Sequence, residues 1–293
     1  MRVLITGAAG QIGWRLAHFL REKHHVVATL RSGHIGGLET VEMDVTEPLS
    51  IRLAVDRTEP DMVVHCAAMT DADECEREKK ACWHINVEGT RALAEECANT
   101  GTRMIYVSTD LIFDGEKGNY TEADVPNPLS YYALSKLEGE KAVASILPSA
   151  TIARIAIVYG LGGMPARGFA LWVLESLRQG KKIQLLTDQI RSHFYLGDCV
   201  RALGGILEGA HTGIFHLSPG RKESRYDFGV AVATALGLDT GLIEPVTLND
   251  LPSDARRPKD VSLSNVKLAR ETGFVPTPFG ETLEMLKKEF VVG

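Results

Sequence analysis

Residues 2–13 read RVLITGAAGQIG. A short apolar run ends at Gly7, glycine returns at Gly10 and Gly13, and an amphipathic stretch follows to about Arg21. The run predicts a buried strand and the stretch behind it a helix. Glycines between the two let the backbone turn tightly and approach a pyrophosphate. That anion would rest on the free N–H groups and positive dipole end of the helix. The spacing G-x-x-G-x-x-G is weak by itself. Behind a first strand, and opening an amphipathic helix, it marks a dinucleotide site. Gly7, Gly10, Gln11, Ile12 and Gly13 are its candidate residues.

The pattern repeats outward from there. Strands are expected at 26–30, 39–43, 61–66, 104–107 and 151–158, with helical stretches between them. Alternation of this kind predicts an α/β fold with a doubly wound parallel (Rossmann) sheet. Cofactor contacts then belong at the carboxyl ends of the strands. Arg31 follows the second strand, where an arginine accommodates a 2′-phosphate, so NADP(H) is favoured with NAD(H) possible. Asp44 and Val45 end the third strand, and Asp44 either faces the adenine or caps the helix from about Glu47. Ala67 and Ala68, behind the fourth strand, are small enough for the backbone to pass close to the cofactor. The pattern breaks at Gly160–Gly163. Residues 1–160 are expected to form the dinucleotide-binding domain and 161–293 mainly a smaller substrate-binding lobe, with a segment near 195–217 returning to the first domain.

The chemistry concentrates in residues 104–140, MIYVSTDLIFDGEKGNYTEADVPNPLSYYALSKLEGE. A strand ends in Ser108, Thr109 and Asp110, and a helix begins near Ser130. Tyr132 and Lys136 are four residues apart on that helix and share one face. A phenol beside an ammonium, opposite a hydroxyl, is a proton-transfer device. The cation is expected to favour the phenolate and lower the phenol's pKa. Thr109, Tyr132 and Lys136 are the candidate catalytic residues; Tyr131 has no lysine four residues on and serves as the decoy.

Composition bounds the rest. The net charge of −6 and the lack of a basic run argue against a nucleic-acid partner. No apolar run approaches the roughly 20 residues of a membrane span. Met1-Arg2 leads directly into the first strand, which leaves no room for a signal peptide, so a cytoplasmic protein is expected. Five cysteines, none in a C-x-x-C pair, read as reduced thiols, and the nine histidines show no ligand spacing; no metal is expected.

Together G7-x-x-G10-x-x-G13, Asn86-Val-Glu-Gly89-Thr and Tyr132-x-x-x-Lys136 resemble the extended short-chain dehydrogenase/reductases, in that family's order and through nearly the whole chain. Within them the chain resembles the dTDP-4-dehydrorhamnose reductases. The supporting stretches are Ser108-Thr-Asp-Leu-Ile-Phe-Asp-Gly115, Asn127 to Lys136 and Ala67 to Asp73. The resemblance implies that Tyr132 protonates a keto oxygen, that Lys136 holds the nicotinamide ribose, and that both belong to the cofactor site. It implies a nucleotide-sugar substrate, and a homodimer is expected. Two positions depart from those reductases: Leu111 stands where an aromatic residue is usual and Arg191 where glycine is usual. Arg191-Ser-His-Phe and Arg257-Pro-Lys-Asp-Val261 look instead like stretches of nucleotide-sugar epimerases and dehydratases, whose arginines approach the substrate diphosphate. Asp110, Arg191 and Arg257 are therefore the substrate-binding candidates, with a structural ion pair as the competing reading for each arginine. Leu111 also replaces the glutamate of the dehydratases, which argues against dehydration.

Three functions stay open at this point. One is reduction of a nucleotide-linked 4-keto-6-deoxysugar. The second is nucleotide-sugar epimerisation with a tightly held cofactor. The third is a non-catalytic NADP-binding regulatory role, resembling the beta subunit of methionine adenosyltransferase.

Overall fold

The computed structural model describes residues 1–166 and 168–292. The first six strands are β1 (Arg2–Thr6), β2 (His25–Leu30), β3 (Glu39–Glu42), β4 (Met62–His65), β5 (Arg103–Thr109) and β6 (Thr151–Ile155). Between them run α1 (Gln11–Leu20), α2 (Pro48–Thr58), α3 (Ala72–Arg77), α4 (Lys79–Trp83), a π-helical turn (His84–Gly89), α5 (Thr90–Thr100) and α6 (Tyr131–Ile146). The later elements are shorter: β7 (Val158–Tyr159), α7 (Phe169–Arg178), β8 (Ile183–Leu186), β9 (Ile190–Arg191), β10 (Phe194–Tyr195), α8 (Leu196–Glu208), β11 (Gly213–Leu217), β12 (Glu223–Ser224), α9 (Arg225–Ala235), β13 (Ile243–Val246), α10 (Val266–Thr272) and α11 (Phe279–Val292).

Seven parallel strands form the central sheet in the order β11-β6-β5-β4-β1-β2-β3. Strands buried on both faces need apolar residues at every position, and VLI, VVA, MVV and MIYV supply them. One core cluster packs α1 and α8 against one face of the sheet, and another packs α2 and α5 against the other. The fold expected from the sequence is therefore the fold observed. The chain order reverses between β1 and β4, so the crevice at their carboxyl ends is the topological switch point.

Two element readings change. The strand expected over 151–158 stops at Ile155. Ala156 N still donates to Leu217 O, but Ile157 O accepts from Phe194 N, so the chain leaves the sheet and pairs β7 with β10. The strand behind Thr109 runs longer than expected, since Ser108 and Thr109 still pair with Arg154 and Ile155. Beyond β7 a third cluster gathers α7, α9 and α11 around Tyr159, Phe228 and Leu286. Two small pairings, β8 with β13 and β9 with β12, complete that region.

Candidate active site

The glycine turn has the shape a diphosphate needs. Gly7 has φ +63°, and a Cβ there would lie 2.6 Å from Ala67 N. A Cβ on Gly13 would lie 2.5 Å from Gly7 O, so glycine is what lets α1 sit against β1. Gly10 caps α1 without a side chain, and the first turn carries no acidic residue. The opening turn of the helix, with Gln11 and Ile12, thus keeps its positive end free of any anion from its own sequence. The Gln11 side chain has another task, donating from Nε2 to Gly160 O at 2.8 Å. Ala67 N donates to Thr6 Oγ1 at 3.1 Å, which holds Ala67 and Ala68 over the switch point. These features fit a dinucleotide.

At the adenosine end the expectations divide. Arg31 is exposed directly behind β2. Asp44 does not cap the following helix, which begins at Pro48. Its Oδ1 accepts from Thr46 N at 2.9 Å and Thr46 Oγ1 at 2.7 Å, and those bonds, then the Arg31 charge, hold the carboxyl below its usual range. Val45 is buried, and its carbonyl would be 2.6 Å from a Cβ on Gly89. Gly89 therefore lets the helical run His84–Thr100 close against the loop behind β3.

Thr109, Tyr132 and Lys136 come together at the carboxyl end of β5, all nearly buried. Ser130 caps α6 by accepting from Ala133 N at 3.3 Å, which starts the helix at Tyr131. Burial raises the Tyr132 phenol well above its ordinary value, and a hydrogen bond with Thr109 opposes that rise. Here the sequence expectation needs correction. Burial is the largest influence on the phenol and outweighs any lowering by the Lys136 charge; Thr109, Asp110, Cys75 and Arg191 come next. The Lys136 ammonium instead lies 4.1 Å from the centre of the Tyr106 ring. Burial lowers it to about 8, against the pull of Glu140. Tyr132 is thus held as a neutral phenol through the neutral range. Tyr131, by contrast, is half-buried beside Trp83, with the Lys79 ammonium 5.4 Å from its ring centre.

Side chains that sequence reasoning left without a role hold this arrangement. Asn86 sits in the π-helical turn, and its amide bridges two elements. Oδ1 accepts from Met69 N at 2.8 Å, while Nδ2 donates to Met69 O at 3.0 Å and to Ser135 Oγ at 2.9 Å. It ties the loop behind β4 to α6 between Tyr132 and Lys136. Glu140, one turn beyond Lys136, accepts from Arg154 Nε and Nη2 at 3.1 and 2.8 Å and from Ser108 Oγ. That buried pair fixes α6 against β5 and β6. The signal in the sequence was spacing alone: Lys136 and Glu140 share a helix face.

Both candidate arginines meet carboxylates. Arg191 donates from Nε to Asp110 Oδ2 at 3.1 Å and from Nη2 to Oδ1 and Oδ2 at 2.8 Å. Both side chains are buried, at 7% and 1% exposure. Arg191 and Asp110 thus form an internal ion pair through Nε and Nη2, the competing reading of this arginine. Arg257 is more open. It donates to Asp73 Oδ2 at 2.6 Å and also lines a cleft of about 530 Å³ with Asp114, Leu129, Leu248, Arg256 and Lys259. Ala255, on the wall of that cleft, packs in one apolar cluster with Tyr132. Among the described residues no cluster of His, Cys, Asp and Glu could hold a metal ion. No helix among them is long and apolar enough to cross a membrane.

Known proteins resemble this chain along nearly its whole length. The chain is 30% identical to a dTDP-4-dehydrorhamnose reductase from Aggregatibacter actinomycetemcomitans, over 98% of each chain. It is 30% identical to methionine adenosyltransferase 2 subunit beta from Danio rerio, over 91% of this chain and 84% of that one. The crystal structure of a dTDP-4-dehydrorhamnose reductase from Bacillus anthracis str. Ames, in complex with NADP, superposes with a TM-score of 0.87 at 26% identity, over 100% of this chain and 99% of that one. The family model for the RmlD substrate binding domain matches residues 1–292. With its glycine turn at the switch point and its Thr109, Tyr132 and Lys136 at the end of β5, the chain belongs to that family, within the extended short-chain dehydrogenase/reductases.

Proposed function

We propose that the protein is an NADPH-dependent reductase of a nucleotide-linked 4-keto-6-deoxysugar. The observation that carries this reading is the buried, neutral phenol of Tyr132 with the Thr109 hydroxyl against it. Burial makes the phenol a weaker acid, but it keeps the proton in place, and the alkoxide that forms in a reduction is basic enough to take it. When bound, the nicotinamide supplies hydride. The carbonyl oxygen then gains charge and needs a hydrogen bond and a proton at that moment. Thr109 Oγ donates the bond and Tyr132 the proton. Gly7, Gly10, Ile12 and Gly13 would hold the diphosphate of the cofactor, Arg31 its 2′-phosphate, and Lys136 the nicotinamide ribose. Burial of Tyr132 keeps water from competing for the oxygen. Arg257, Arg256 and Lys259 would offer the cations a nucleotide diphosphate needs, beside Asp114, Glu116 and Asp254 in the same cleft.

NADPH consumption against a panel of 4-keto nucleotide sugars tests the proposal. Turnover of at least one of them is the expected result. Co-purifying, non-exchanging NAD without net consumption would replace it with an epimerase. The methionine adenosyltransferase relative supports a second reading, a regulatory subunit. NADPH binding without any turnover, together with a stoichiometric partner enzyme in a pull-down, would put that reading first.

A further inference from the structure

Three arginines converge behind Asp110. Arg191 lies on β9. Arg225 follows β12, which pairs antiparallel with β9 through Glu223 with Arg191 and Ser224 with Ile190. Arg225 N donates to Gln189 O at 3.1 Å. The segment carrying Arg257 runs along the other side of β9, where Ile190 N donates to Lys259 O at 2.6 Å. Two carboxylates answer these three cations: Asp110 holds Arg191 and Asp73 holds Arg257. Among the described residues Arg225 has no carboxylate within ion-pair distance.

Several observations make Arg225 costly where it stands. Its Nε is buried without a hydrogen-bond partner. Its guanidinium carbon lies 4.6 Å from the centre of the Phe169 ring, so the plane is propped on an aromatic face. Burial, then repulsion from Arg191 and Arg257, lowers it to about 9, and Asp110 works the other way. It is also the first residue of α9, at the positive end of that helix dipole, where a cation is disfavoured. A forked cation desolvated at a repulsive helix end, with unused donors, is not placed there by stability. The carboxylate whose charge it feels is Asp110, the residue after Thr109, which Arg191 holds on the neighbouring strand.

We infer that Arg225 is a substrate-binding residue: it binds a phosphate oxygen of the substrate's diphosphate, while Arg191 is held by Asp110. This rests on the nucleotide-sugar reading above. Phe169 keeps the guanidinium plane fixed, so its donors meet the phosphate with little ordering left to lose. The test is calorimetric binding of dTDP and UDP to the wild-type protein, Arg225→Gln and Arg225→Lys, with NADPH affinity and melting temperature as controls. Arg225→Gln should bind the preferred nucleoside diphosphate about 10- to 100-fold more weakly, the loss of a charge-assisted contact, with NADPH affinity unchanged. Arg225→Lys keeps a charge but not the fork and should fall between. Should Arg225→Gln fail to fold, the weakened binding of Arg225→Lys decides alone. Diphosphate binding within twofold of wild type in the folded variants overturns the inference and leaves Arg225 as packing on Phe169. A wild-type protein that binds NADPH but neither dTDP nor UDP overturns the substrate reading itself, a separate and recognisable outcome.

Discussion

Asp110 and Arg191 are 81 residues apart and meet in a buried bidentate pair directly behind Thr109. Removing one partner leaves the other charged and dry, which costs about 3–5 kcal/mol in such pairs. Arg191→Ala is therefore expected to lower stability by that order in urea or thermal unfolding. Asp110→Asn combined with Arg191→Met should recover much of the loss. A stable Arg191→Ala protein whose only defect is a raised KM would restore the diphosphate clamp expected from the sequence.

Tyr132→Phe keeps the buried ring and removes the proton. It should reduce kcat by roughly 10²–10⁴, the usual contribution of a general acid, with NADPH affinity intact. Tyr131→Phe, one residue away and half-buried beside Trp83, should be nearly silent in the same steady-state assay. Full reductase activity in Tyr132→Phe would refute the assignment of the acid.

Arg31 is exposed behind β2 and electrostatically reaches Asp44. Arg31→Ala should weaken NADPH by about 1.5–3 kcal/mol, as for a charge-assisted hydrogen bond, and leave NADH nearly as it was. Fluorescence titration with both cofactors measures this. Equal losses would remove the 2′-phosphate from its role.

Lys136 makes a prediction about stability. Its folded pKa of about 8 lies below the ordinary 10.5 because burial disfavours the charge. Between those values the unfolded chain binds the proton and the folded chain does not, so stability contributed by this group rises with pH across that window. Below it the penalty is present in full, on the order of 3 kcal/mol. Lys136→Met should then melt higher than wild type at pH 7 in the absence of cofactor, with the gap closing as pH approaches 10.5. The same variant should lose turnover. A variant that melts lower than wild type at pH 7 would mean that the contact with Tyr106 outweighs desolvation.

The sheet and its glycine turn were legible because their causes are local. Apolar runs of four to six residues and glycines at fixed spacing have few other uses, and Tyr132 and Lys136 declare a shared face by a spacing of four. The side chains around them were less legible because their meaning depends on distant partners. Arg191 reads as a free cation until Asp110 is placed beside it. Glu140 lies among Glu138 and Lys141 and reads as a solvated helix face until Arg154 arrives from the next strand. Arg225, in Ser-Arg-Tyr-Asp at a helix start, has nothing in its neighbours to mark it. The expected effect of Lys136 on the phenol failed for a related reason: spacing fixes a face of the helix, whereas Tyr106 on the strand below decides where the ammonium rests.

The bracing of α6 by Asn86, Ser108 and Arg154 has a consequence for how such proteins diversify. Each of those braces comes from the first 155 residues, whereas Arg191, Arg225 and Arg257 all come later. Mutations that retune the anion-binding end can therefore accumulate without disturbing the geometry of Tyr132. The exceptions are Arg191, to which Asp110 reaches across, and Arg257, which Asp73 holds. A chimera that joins these first 155 residues to the remainder of a relative should keep its proton donor and inherit a new substrate, provided that the graft brings an arginine for Asp110 to meet.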